Sequence, residues 1–269
     1  MKKSVVISLI FVSIIFLSFT FTPNVFGQSE KVEVLSYSWY ISSLGTFIVV
    51  GEVQNVGPTN LQYIYLQGVV ISTDEEILTY SYSAGFSQEI LPQQKVPFIM
   101  YFTPENSPTG DLSWISKGVD HVAFNVITAD ETDNYQYPDL EIINDSHYIN
   151  SDGLFTITGS VQNTGDQDSG RLWVVATFYN STGSVIAAGF SSYLDPDSLP
   201  FGQTASFTLT TVDFIPELTS EIKDYALLIQ TEGPIIPEFP SWIILPLFLI
   251  VTLIAVYFRM NLYYPDSSN

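Results

Sequence analysis

The strongest constraint on the fold is an internal repeat. Shifted by 108 positions, "SWYISSLGTFIVVGEVQNVG" lies on "SHYINSDGLFTITGSVQNTG". Tyr40 meets Tyr148, Ile41 meets Ile149, Gly45 meets Gly153 and Phe47 meets Phe155. Gly51 falls on Gly159, Val53-Gln54-Asn55 on Val161-Gln162-Asn163, and Gly57 on Gly165. At the same shift Leu91-Pro92 falls on Leu199-Pro200. Such self-similarity means one structural unit used twice, so any fold for this chain must be built from two copies of a unit of about a hundred residues.

Each copy reads as strands. In "LFTITGSVQN" Phe155, Ile157, Gly159 and Val161 alternate with Thr156, Thr158, Ser160 and Gln162, the period of two expected of a strand with one wet face. Asn163 to Gly165 then reads as a turn, with glycine supplying positive φ. "RLWVVATFYNSTGSVIAAGF" reads as strand, turn over 180–184, and returning strand. "TASFTLTT" alternates with Ala205, Phe207 and Leu209 inward, and "YALLIQT" closes the copy. Many short strands between Gly and Pro punctuation, and no amphipathic helix between the ends, predict an all-β chain of two tandem immunoglobulin-like β-sandwich domains, at 28–134 and 135–233. "TDNYQYPDL" joins them and limits their relative angles.

The two ends read as export and anchoring. Lys2 and Lys3 precede the apolar stretch 5–19, and small residues follow near "NVFGQSE". This is the grammar of a secretory signal peptide, residues 1–27, with cleavage after Gly27; an uncleaved amino-terminal helix is the other reading. At the far end, 242–258 carries no charge. As a helix it covers roughly 25 Å, and Ser241, Met260 and a snorkelling Arg259 extend it toward the ~30 Å hydrocarbon core. Residues 241–260 are therefore predicted to form one transmembrane helix. A Pro-rich stalk (234–240) stands before it and a cytoplasmic tail (261–269) follows, with the domains outside.

"PEFPSWIILPLFLIVTLIAVYFR" resembles the archaeal carboxyl-terminal sorting signals of the PEF type, with Pro237, Glu238 and Phe239 as the motif. The resemblance covers about the last thirty residues and implies an archaeal cell-surface protein and an archaeosortase-type processing enzyme. Arg259 stands alone where that family carries a basic cluster, so a retained helix and a processed one both stay open. The pattern "GSVQNTG…VVATFYNSTGSVIA…LPFGQTASFTL" also resembles the FxLYD-type extracytoplasmic sandwich domains, with "TFYNSTG" at the signature and Tyr179 and Asn180 matching it loosely. That resemblance implies a fold and a location outside the membrane.

The sequence carries 8 basic and 28 acidic residues, a net charge of −20. Such a chain repels phosphate backbones, and nucleic acid is not an expected partner. Cysteine is absent, which excludes disulfides and thiolate-bound zinc or iron. No Gly-x-Ser-x-Gly elbow, phosphate loop or dinucleotide fingerprint occurs. The two histidines sit where the sister copy places aromatics, His147 opposite Trp39 and His121 opposite Tyr225, so packing is the expected role of both. The acidic loops Asp166/Asp168, Asp195/Asp197 and Asp130/Glu131/Asp133 lack the spacing of a calcium loop. Asn144-Asp-Ser146 and Asn180-Ser-Thr182 are glycosylation sequons. The expectation is a non-enzymatic, membrane-anchored surface protein without cofactor, metal or catalytic residues, acting as an interaction or spacer module on a cell-envelope protein or glycan. The alternative is an accessory subunit of a membrane enzyme or transporter.

Overall fold

The computed structural model describes residues 30–107, 109–134 and 136–232. The signal 1–27 with Gly27, the whole stalk 234–240 with its Pro237-Glu238-Phe239 motif, the span 241–260 and the tail 261–269 lie outside the described residues. Among the described residues the chain is all-β, with three short 3₁₀ turns and no α-helix. In the first copy the strands are β1 (Val32–Ile41), β2 (Phe47–Asn55), β3 (Leu61–Ser72), β4 (Ile77–Ala84), β5 (Glu89–Ile90), β6 (Lys95–Phe102) and β7 (Val119–Glu131). In the second they are β8 (Leu140–Ile149), β9 (Phe155–Asn163), β10 (Leu172–Tyr179), β11 (Val185–Phe190), β12 (Thr204–Thr211) and β13 (Asp224–Thr231).

In the first copy β1-β2-β6 forms one antiparallel sheet, and β3 forms another with β4 and β5 along one edge and β7 along the other. Phe47, Val49, Val53, Phe98 and Met100 from the first sheet and Leu66, Val70 and Phe124 from the second meet in one core. The second copy repeats this order, but β11 also pairs with β12 through Gly189 and Phe190, joining everything into one sheet, β13-β10-β11-β12-β9-β8. The first copy has only an isolated Gly85–Phe98 bridge near that place.

The repeated block has a structural cause. Asn55 and Asn163 are both fully buried. Nδ2 of Asn55 donates to the Thr59 and Ile90 carbonyls, and that of Asn163 to those of Gln167 and Leu199. Each Oδ1 accepts from the N–H two residues on, Gly57 or Gly165. The buried amide thus closes the loop after β2 or β9 and leaves little polar capacity unpaired. Gly165 serves differently from the sequence expectation: it is not among the residues with positive φ. Its side-chain position is filled by neighbours, since a Cβ would lie 2.7 Å from that of Asp139. Gly51 and Gly159 likewise leave room for the rings of Phe98 and Phe207, which a Cβ would meet at 2.5 and 2.7 Å.

Two sequence alignments are corrected by these bonds. Asn55 binds the carbonyl of Ile90 where Asn163 binds that of Leu199, so Ile90 is the true counterpart of Leu199. The match of the two Leu-Pro pairs is one residue out of structural register. On the last strand Ile71 pairs with His121, and its counterpart Tyr179 pairs with Asp224. His121 therefore corresponds to Asp224, and Val122 to Tyr225; a shorter connection after β12 accounts for the change of shift.

The copies stack face to face. Tyr40, Ile48, Val50 and Ile99, on the outer face of β1-β2-β6, share a buried cluster with Val185, Ile186, Ala188 and Phe214 of the second copy. Polar bonds frame the contact. Tyr179 Oη donates to Glu52 Oε1 at 2.5 Å, Ser38 Oγ to the Val185 carbonyl at 2.6 Å, and the Val185 N–H to Ser36 Oγ at 3.2 Å. Burial foremost, then the bond to the Glu52 carboxylate, holds the Tyr179 phenol above its ordinary range. In the linker, Tyr137 is buried and its N–H donates to Thr231 Oγ1, while Gln136 Nε2 donates to the Glu89 carbonyl.

Candidate functional site: the uncovered sheet face of the first copy

Stacking leaves the two copies with different free faces. The first copy offers the outer face of β3, β4 and β7. Leu66 and Val70 of β3 point into the core and are buried, with Gly68 between them leaving room for Met100, while Tyr65, Gln67, Val69 and Ile71 face outward. Cross-strand rows run Ile77–Ile71–His121, Tyr80–Val69–Ala123 and Tyr82–Gln67–Asn125. The second copy has Val185–Tyr179–Asp224, Ala188–Thr177–Ala226 and Phe190–Val175–Leu228 at the same places. There the β10 and β11 part of the face is covered by the first copy, while Asp224 and Ala226 on β13 stay exposed, and Ala188, fully buried, stands where Tyr80 is 43% exposed.

The uncovered face has its own order. The rings of Tyr65 and Tyr82 are parallel within 3°, with centroids 5.6 Å apart, and Tyr80 meets Tyr82 edge-on at 5.8 Å. Asn125 Nδ2 donates to Gln67 Oε1 at 3.1 Å, and Gln67 Nε2 donates to Tyr82 Oη at 3.0 Å. The chain of donors runs across three strands and ends on the Tyr82 phenol. At the other end of the face Val69, Ile71, Ile77 and Ala123 line a shallow cleft with Glu75 and His121 at its side. His121 Nδ1 lies 2.8 Å from Asp120 Oδ2. This combination of ring faces, amides, phenol hydroxyls and a short apolar trough suits the holding of a ligand against a flat surface.

The remaining sequence candidates are dispersed. His147 stacks on Phe155, with centroids 4.8 Å apart, and meets Tyr225 edge-on at 5.7 Å, at the open side of the second sandwich. It is in another copy from His121. Among the described residues no three His, Asp or Glu side chains gather closely enough to hold a metal ion. Glu131 pairs with Lys31 at 2.8 Å, and Asp197 lies 4.0 Å from Arg171. Asn180 Oδ1 accepts from the N–H groups of Thr182 and Ser184 and from Thr182 Oγ1, so the sequon is also the fastening of its hairpin turn. Ser72 Oγ fastens the matching turn of the first copy. Asn144 is exposed, with φ 55°, at the irregularity of β8 between Ile143 and Ser146. Among the described residues no helix is long and apolar enough to cross a membrane.

Sequence reasoning overlooked the face, although the repeat contains its signal. "FIVVGEV" in the first copy lies on "FTITGSV" in the second, so Ile48, Val50 and Glu52 stand opposite Thr156, Thr158 and Ser160. The copy with apolar residues on both sides of its strand is the one covered there.

No protein-family model and no curated protein matches the chain. Among solved structures it is similar to a complex of the Amycolatopsis orientalis exo-chitosanase CsxA E541A with PNP-beta-D-glucosamine, at 12% identity and a TM-score of 0.25. The match covers 76% of this chain and 26% of that one, so the chain spans about a quarter of the length of that structure.

Proposed function

We propose that the chain is a membrane-anchored cell-surface protein whose tandem immunoglobulin-like sandwiches act as a non-enzymatic interaction module in the cell envelope. The observation that carries this reading is the difference between the two outer faces just compared. One is consumed in joining the copies into a single body, and the other, bearing tyrosines and amides, is left open to a partner. A signal at 1–27 would deliver the module across the membrane and the span at 241–260 would hold it there, retained or processed at Pro237-Glu238-Phe239. Asn144 and Asn180 would carry glycans.

Mass spectrometry of the protein from its native membrane tests this. The mature chain is expected to begin near Gln28, to carry added mass at Asn180, and to be shaved from intact cells by protease. Peptides beyond Pro240 distinguish a retained helix from a processed one. Recovery from the cytosol with both ends intact would refute surface anchoring. Stoichiometric co-purification with an integral membrane enzyme or transporter would replace the free module by an accessory subunit.

A further inference from the structure

We infer that the outer face of β3, β4 and β7 is a binding surface for a neutral, linear polysaccharide, with Tyr65, Tyr82, Gln67 and Asn125 as its contact residues. The inference rests on the interaction-module reading and names the ligand class and the site.

The comparison of the copies speaks first against another sandwich as the occupant. The second copy shows what such a face needs when a sheet is laid on it: Ala188 in its middle row and Val175 in the next are buried, with Leu228 partly so. In the first copy Tyr80 replaces that alanine, and Gln67 and Asn125 replace the valine and leucine. A bulky ring stands where sheets must close to about 10 Å, and two amides occupy positions that would be dried by contact. Dry burial of amides costs free energy unless a partner supplies matching bonds.

Charge narrows the choice further. None of the side chains in the three rows is Lys or Arg, and Glu75, Glu76 and Asp120 stand at the rim, Glu76 with Lys117 3.3 Å away. Phosphate, sulfate and uronate groups are disfavoured there. A neutral pyranose chain meets the surface on both counts. Its C–H-lined faces carry partial positive charge toward the negative face of a phenol ring. Its equatorial hydroxyls accept and donate in the directions that Asn125, Gln67 and the Tyr82 O–H present. The parallel setting of Tyr65 and Tyr82 suits a straight run of residues rather than a single sugar, and the apolar trough beside Ile71 and Ile77 extends the track.

The test is calorimetric and NMR titration of the full-length chain in detergent micelles with neutral hexasaccharides of β-linked glucose, mannose and N-acetylglucosamine, at low and at 0.5 M salt. At least one should bind saturably, unchanged by salt. Tyr82→Ala and Tyr65→Ala should each weaken it tenfold or more, Gln67→Ala several-fold, and Tyr193→Ala, remote from the face, not at all. All these side chains except Gln67 are substantially exposed, so the variants keep their fold, and circular dichroism verifies it. Absence of saturable binding by all three probes overturns the proposal, as does binding untouched by the tyrosine substitutions. Self-association through the face, or crosslinking of position 82 on cells to a protein, would also overturn it while leaving the surface-module reading intact. Cytosolic recovery of the protein would instead remove that reading itself.

Discussion

Asn55 and Asn163 are the residues on which each copy is hung. Replacing Asn163 with Ala strands two carbonyls and one N–H that its amide satisfies, for an expected loss of about 2–4 kcal/mol; denaturant titration would measure it. The Gln-Asn-x-Gly block was legible in the sequence as a repeat, but its reason was not, because the bonds go to carbonyls some 35 residues away. Another pair shows exchange between copies. On the open side of the first sandwich Tyr37 Oη, on β1, accepts the Val122 N–H. In the second the aromatic has moved across: Tyr225, on β13, donates to Asp145, the counterpart of Tyr37, at 2.6 Å. Burial first, then this bond and the nearby carboxylates, pushes the Tyr225 hydroxyl from 10.0 up to about 12. A phenol raised in the folded state favours the neutral form, so its contribution is complete below pH 10 and is lost as pH climbs toward 12. The protein should therefore lose stability across that alkaline window, and Tyr225→Phe should flatten the decline; thermal melts from pH 9 to 12 would show it.

Among elements, β2 and β9 are the instructive contrast. Both turn a Phe, a β-branched aliphatic, a Gly and a Val inward, and the alternation of Phe155, Ile157 and Val161 with threonine and serine was readable directly. For β2 the run is apolar on both sides and every residue but Gln54 is buried. Periodicity alone does not say what covers the second side. The substitutions Ile48→Thr and Val50→Thr give β2 the outer face of β9, remove apolar contact with the second copy and leave its own core untouched. Each should cost about 1–3 kcal/mol of the contact between copies, splitting one calorimetric transition into two. Ala188→Tyr should do the same from the other side by overpacking. The edges of the sandwiches are closed by single side chains: Tyr37 takes the Val122 N–H on β7, and Asp224 takes that of Tyr225 on β13, which discourages strand addition there.

At the scale of the whole molecule, the all-β class and the doubling followed from the sequence, whereas the stacking of one copy on the other did not. The linker shows why. "TDNYQYPDL" looks like a connector because of its Pro and polar residues, yet Tyr137 is buried and bonds through its hydroxyl to the Gln167 carbonyl at 3.0 Å. Its neighbour Gln136, also buried, bonds to the Glu89 carbonyl and Gln94 Oε1 of the first copy, so the linker is held between surfaces that both copies supply. Limited proteolysis should accordingly spare 132–140 in the native protein and cut there in the Ile48→Thr/Val50→Thr variant.

The unlike fates of the two β3-type faces also set how each copy can change over generations. A substitution at Ala188 is felt as a loss of assembly, and so is filtered whatever the protein meets outside. On the proposed binding role, a substitution at Tyr80 or Gln67 leaves the body intact and alters only what it can hold. On that role, duplication separates the two kinds of selection: the second copy is committed to architecture, and the first is free to follow a changing environment.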